Sequence, residues 1–373
     1  MFLNEIAPEF EKFKEKNPQE IQLIGLKHIN LKEASEEIRK QFSQQKEVAT
    51  TTHEEKQVHR NLANVDFVHL HNHTQFSVLQ STISVADLVK AAVENKMPAV
   101  AMTDHANLMG AFHFVRDILY HNKTAQAKNI QAEDKGELPT ETIIKPIVGC
   151  EFFVCDDLSD KSRKDNGYQI VFLAKTKKGY HNLAKLSSIA YTEGFYYVPR
   201  VDKALIEQYR SDLMVLSGGL EGEIASLILN VGEKQAEDSL CWWKEQFNDD
   251  FYVEINRHHL EAEDHANEVL VRLAEKHQVK LVATNNTYYI NQSDAQAHDV
   301  LLCIRNGELL STPKGRGRGY RFGFENDEYY FKSPEQMKQL FADLPEALDN
   351  TVEIARRCSL PLGSYWRTVM SRR

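Results

Sequence analysis

The sequence predicts an α/β fold, a (β/α) barrel in which short buried strands alternate with amphipathic helices. Two observations predict it. Brief apolar runs recur along the chain with helical patterns between them. At least six of these runs, taken in order, close on polar residues or glycines. Alternation alone suits an open doubly wound sheet equally well. Polar groups at successive strand ends suggest one shared mouth, which is where barrel chemistry sits.

The first run, residues 67–74, carries the most chemistry. Its imidazoles His69, His71 and His73 stand at i, i+2 and i+4, so a strand places them on one face. Neutral imidazole is a common ligand of zinc, iron and related metals, and two or three converging rings make a metal nest. Ser84-Val85-Ala86-Asp87 is a capping box, and Val85, Leu88, Val89 and Ala92 then form a helical stripe. Residues 99–105 make the next run, ending in Thr103-Asp104-His105, with Asp104 placed to cap a helix over 106–120. The later runs end in Glu151, in Gly218-Gly219, in His258-His259 and in Asn285-Asn286, and a last helix is predicted over 345–358. Each fragment alone is ordinary, since a His-x-His pair in a strand is usually packed or hydrogen-bonded. Order and shared position give them weight.

Composition bounds the rest. At 373 residues there is room for one barrel with appendages. A net charge of −9 and a pI near 5.9 argue against wholesale nucleic-acid binding. The five cysteines, without a C-x-x-C pair, read as free thiols, and no apolar run approaches membrane-spanning length. The expected location is cytoplasmic, with no membrane partner. Residues 1–64 read as a polar extension and linker, and 361–373 as a truncated or irregular tail. Lys314, Arg316, Arg318 and Arg321 are spaced by glycines, as a surface loop leading into a hairpin over 322–331 or as a set of phosphate contacts to DNA.

The motif order His71-x-His73, Thr103-Asp104-His105, Gly149-Cys150-Glu151, Leu216-Ser217-Gly218, Glu254-Ile255, Ala283-Thr284-Asn285 resembles the PHP (polymerase and histidinol phosphatase) domain. Gly179-Tyr180-His181-Asn182-Leu183 and Glu193-Gly194-Phe195-Tyr196 narrow the resemblance to the form found in bacterial replicative DNA polymerase III alpha subunits. It covers roughly residues 65–360 and implies a distorted seven-stranded (β/α) barrel of PHP type. In metal-binding members it also implies nine ligands for up to three metals. Of those positions His71, His73, His105 and Glu151 match. Five carry weak or absent ligands instead: Gln80, Gln169, Gly219, Asn286 and Tyr288. The resemblance therefore implies a degenerate site holding at most a single zinc or manganese ion. It implies a non-catalytic scaffold in DNA replication, with a metal-dependent phosphoesterase or 3′–5′ exonuclease as the alternative. Implied partners are the polymerase core of the same subunit with its magnesium, a proofreading exonuclease, other replisome components, and DNA through the parent enzyme.

Overall fold

The computed structural model describes Leu62 and residues 65–162, 164–315 and 317–359. The extension, the tail and Arg316 lie outside the described residues, as does most of the linker. The strands are β1 (Ala99–Met102), β2 (Lys145–Cys155), β3 (Tyr168–Ala174), β4 (Phe195–Tyr196), β5 (Val198–Asp202), β6 (Leu213–Leu216), β7 (Phe251–Ile255) and β8 (Lys280–Ala283). The helices are α1 (Val85–Glu94), α2 (Ala111–Asp134), α3 (Lys177–Thr192), α4 (Lys203–Tyr209), α5 (Glu223–Asn230), α6 (Glu233–Phe247), α7 (Glu261–His277), α8 (Ala295–Asn306), α9 (Pro334–Leu340) and α10 (Pro345–Arg357).

The sheet curls into a ring through the pairs β1–β2–β3–β6–β7–β8. Segment 67–73 closes it without forming a regular ladder. On one side His69 and Asn72 carbonyls accept from Ala101 and Thr103 N–H groups, both at 2.9 Å. On the other, His71 O accepts from Thr287 N at 3.1 Å and His73 N donates to Thr287 O at 2.9 Å. Counting this segment, the ring has seven members, as the resemblance implies. β3 is the exception to parallel order, running antiparallel to both β2 and β6. β2 outruns the ring, and its last residues pair with β5 through Phe153↔Arg200 and Val154↔Val201.

Local sequence explains the elements. Strands β1, β6 and β7 are buried along their whole length, as continuous apolar runs under flanking helices must be. Ser84 caps α1 by accepting from Asp87 N, and Val85, Leu88, Val89 and Ala92 are its buried stripe. The ring interior is filled by Val68, Leu70, Ala101, Ile147, Val171, Leu173, Met214, Leu216, Tyr252 and Val282, with Val352 and Ile354 of α10 packed against them. Outside the ring, Phe172 of β3 meets Trp243 and Phe247 of α6 at centroid distances of 6.2 Å, an aromatic seam between sheet and helix.

Two local expectations are corrected. Asp104 caps no helix: α2 begins at Ala111, and the buried Asp104 carboxylate accepts from Thr74 N, Thr74 Oγ1 and Ser77 Oγ. Residues 322–331 form no hairpin; an isolated bridge pairs Tyr289 with Tyr330, and Asn285 Nδ2 donates to Glu328 O and Tyr330 O. The five cysteines are free. No helix among the described residues is long and apolar enough to cross a membrane.

Asn72 ties the ring closure together, its Nδ2 donating to Ala101 O at 2.9 Å while its N–H donates to Thr103 Oγ1 at 3.0 Å. Asn72→Ala removes the side-chain bond at a fully buried site and should cost about 2 kcal/mol. A urea midpoint that does not fall in this variant contradicts the assignment of segment 67–73 as the closing member.

Candidate metal centre

The mouth is assembled from the ends of several elements. His71 and His73 come from segment 67–73, His105 follows β1, Glu151 lies on β2 and Glu254 on β7. Glu151 is the hub. Its Oε2 lies 2.7 Å from His105 Nδ1 and 3.6 Å from His73 Nε2, and its Oε1 lies 3.2 Å from His71 Nε2. His71 turns its other nitrogen, Nδ1, to Glu254 Oε1 at 2.7 Å. Glu254 is braced in turn by Thr284 Oγ1 and Asn256 Nδ2, which donate to Oε1, while its own N–H donates to Ser217 Oγ.

Burial opposes charge on each of these groups, and their neighbours decide the outcome. On His71, Glu254 and Glu151 together outweigh burial and raise the pKa to about 10. Burial pushes the Glu151 carboxyl up, yet His105 and His71 hold it well below the ordinary value. On His73, burial and the adjacent His105 push the pKa well down, with Glu151 opposing. His71 is thus an imidazolium bridging two carboxylates, and His73 is a neutral ring. His73 Nδ1 lies 3.1 Å from Ser77 Oγ, which itself donates to Asp104, and Nε2 faces Asn286 Oδ1 at 3.0 Å.

Four atoms of this cluster lack a well-aligned hydrogen bond: His71 Nε2, His105 Nδ1, Glu151 Oε2 and Glu254 Oε2. Two of them are nevertheless only 2.7 Å apart. Short distance with poor angle is what donors aimed at a common point produce. His71, His73 and Glu151 offer ligand atoms that all lie within 4.8 Å of one another, and His105 borders the trio. Two imidazoles and a carboxylate fit one divalent ion, with Glu254 behind His71 as the outer carboxylate that orients a metal-bound histidine.

The five altered positions converge on the same place. Gln80, Gln169, Gly219, Asn286 and Tyr288 line, with Glu151, one cavity of about 870 Å³. Asn286 Oδ1 sits 3.0 Å from His73 Nε2, so its amide stands against the nitrogen an ion would use. Tyr288 stacks on His73 at 4.3 Å and brings its hydroxyl to 3.4 Å from His105 Nε2. Burial and then Glu151 push its phenol well up, so it stays neutral. At Gly219 a Cβ would meet Asn256 Oδ1 at 2.1 Å, so the neighbouring amide has filled the room a cysteine would need.

Other named residues play different parts. His69 is buried with Nε2 on Lys332 O at 2.8 Å. His258 is held between Glu263 at 2.6 Å and Asn285 O at 2.9 Å, and His259 is exposed. In the basic loop, Arg321 is 4% exposed and its guanidinium grips Asp299 through two contacts of 2.8 Å. It shapes the loop from inside and presents no free guanidinium, unlike its expected role as a phosphate contact. Lys314 lies 3.3 Å from the same Asp299, and Arg318 is exposed. Glu254 was not among the expected ligands. Its signal was present: it is the lone charge in the buried run Phe251–Ile255.

His71 must give up its Nε2 proton to bind an ion, so metal affinity should rise with pH by about tenfold per unit below that pKa. Calorimetric zinc titration at pH 6 and pH 8 is expected to show one site, tighter at pH 8. Equal affinity at both values contradicts the protonated bridge.

The family described as the PHP domain matches residues 69–258, just over half of the chain. DNA polymerase III subunit alpha of Borreliella burgdorferi is 37% identical over 296 residues, covering 78% of this chain and 24% of that protein. The Campylobacter jejuni protein of the same name is 36% identical over 308 residues, covering 79% and 23%. That of Thermus aquaticus is 39% identical over 312 residues, covering 80% and 23%. The chain spans about a quarter of the length of these relatives. With the family's motifs gathered at one barrel mouth, this chain belongs to the PHP domain family.

Proposed function

We propose that this chain is the PHP portion of a replicative DNA polymerase III alpha subunit, serving DNA replication as a scaffold and not as a catalyst. The observation that carries this reading is the state of the mouth. Five of the family's ligand positions hold Gln80, Gln169, Gly219, Asn286 and Tyr288, and three of these are engaged with, or displaced by, neighbours that fill the ion's surroundings. Multi-metal phosphoester chemistry needs several anionic ligands to hold like charges a few ångströms apart. Here Glu151 is the one carboxylate in the ligand trio, and Glu254 turns its Oε1 to His71, Thr284 and Asn256.

The same reading assigns partners by analogy with the relatives: the polymerase core of the same subunit with its magnesium, a proofreading exonuclease, and further replisome components, in the cytoplasm. DNA is reached through the parent enzyme, with the exposed Arg318 and the rim residue Lys314 as the available loop cations.

A second reading, residual metal-dependent phosphoesterase or 3′–5′ exonuclease activity, is favoured by the unsatisfied atoms of His71, His105 and Glu151 beside an open cavity. A single zinc or manganese ion held by His71, His73 and Glu151 would supply Lewis-acid polarisation of a phosphoryl oxygen.

Two experiments separate these readings. Thermal melts with and without a strong chelator should nearly coincide, because the packed ring rather than coordination holds the fold. A large loss with chelator assigns the ion a structural role and removes the degenerate-site argument. Hydrolysis of p-nitrophenyl phosphate and of a single-stranded 3′ end should be absent with added manganese. Turnover abolished by His71→Ala puts the phosphoesterase reading first.

A further inference from the structure

Away from the barrel mouth, helices α6 and α7 bring a second chemical cluster together. Cys241 Sγ lies 3.7 Å from His277 Nδ1, and His277 Nε2 lies 2.6 Å from Glu237 Oε1. The order is thiol, imidazole, carboxylate. We propose that Cys241, His277 and Glu237 form a nucleophile, base and orienting acid, making Cys241 a reactive thiol that a small hydroperoxide oxidises to a sulfenic acid.

Each part has a physical reason. Glu237 is ionised, because Lys276 and His277 hold its carboxyl down at about 2. An ionised carboxylate accepts only, so His277 Nε2 carries the proton and Nδ1 turns its lone pair to the thiol. That tautomer is the one a general base needs. His277 is the last residue of α7. Lys276 donates to Glu237, Lys244 donates to His277 O, and Lys234 stands one turn before Glu237–Asp238 on α6.

Access is selective. Cys150, Cys155, Cys303 and Cys358 are buried, and Cys241 is the half-buried one of the five. Burial pushes the Cys155 and Cys358 thiols up to about 11 and about 12. These four provide no accessible resolving thiol.

The step balances. His277 takes the thiol proton, and the sulfur attacks one peroxide oxygen. The S–O bond forms as the O–O bond breaks, sulfur losing two electrons to the peroxide. The departing hydroxide takes the proton from His277 and leaves as water, while the oxygen on sulfur keeps its own hydrogen. A low-molecular-weight thiol can then displace a second water to give a mixed disulfide.

The test uses the full chain, freed of reductant. With hydrogen peroxide and dimedone, peptide mapping should place the adduct on Cys241 and leave the other four cysteines unlabelled. Iodoacetamide at pH 7 should alkylate wild-type Cys241 about tenfold faster than N-acetylcysteine and about tenfold faster than Cys241 in His277→Gln. The two proteins should converge near pH 10, where any exposed thiol ionises; a thiol that is merely accessible gives no such convergence. Glu237→Gln should fall between them. Wild type reacting no faster than N-acetylcysteine, or adducts spread over the buried cysteines, overturns the proposal. The wild-type comparison stands even where His277→Gln fails to fold.

Discussion

The buried carboxylate of Glu151 governs the mouth of this barrel. It is 1% exposed and meets three histidines from two different segments of the ring. An isolated carboxylate there would cost several kcal/mol, so its partners are conditions of folding as much as of binding. The consequences propagate outward. His71 becomes a cation because Glu151 and Glu254 flank it, and Glu254 is then fixed by Thr284, Asn256 and Ser217 on the neighbouring strand ends. Burial and then His105 keep His73 neutral, and its ring stacks between His105 at 4.2 Å and Tyr288 at 4.3 Å. A proton on His71 and rings above His73 thus surround the nitrogens that would have to face an ion.

The altered positions follow one logic. Each replacement is neutral, and three have neighbours packed against them. The Asn286 amide meets His73, the Tyr288 phenol covers His105, and the Asn256 amide sits against Gly219. Restoring a cysteine at 219 therefore requires Asn256 to move, so ligand recovery at this mouth is coupled through side chains that have repacked around the change. Packed neutral side chains surround the trio, so a fold without ions is expected to stand.

Much of this was legible from the sequence. The parallel strands announced themselves because their mouth-facing ends are C-terminal, so the polar residue follows the apolar run, as at Glu151 and Glu254. β3 escaped notice for the converse reason. It runs antiparallel, so its mouth-facing residue, Gln169, precedes the run and its far end fades into Lys175-Thr176-Lys177. Asp104 looked like a helix cap because Asp before a helical stretch usually is one. Only the fold reveals that Thr74 and Ser77, some thirty positions earlier, claim its carboxylate. Arg321 looked free because glycine spacing signals exposure, whereas its partner Asp299 lies on another element. Long-range side-chain partnership is what a linear pattern cannot carry.

A protonated His71 bridge and packed neutral residues fill the mouth beside Glu151. Elemental analysis of the purified full chain after mild dialysis tests this arrangement most directly. The account predicts no more than one equivalent of zinc or manganese per chain. Two or more tightly retained equivalents would contradict it, because the described mouth offers ligands for one ion.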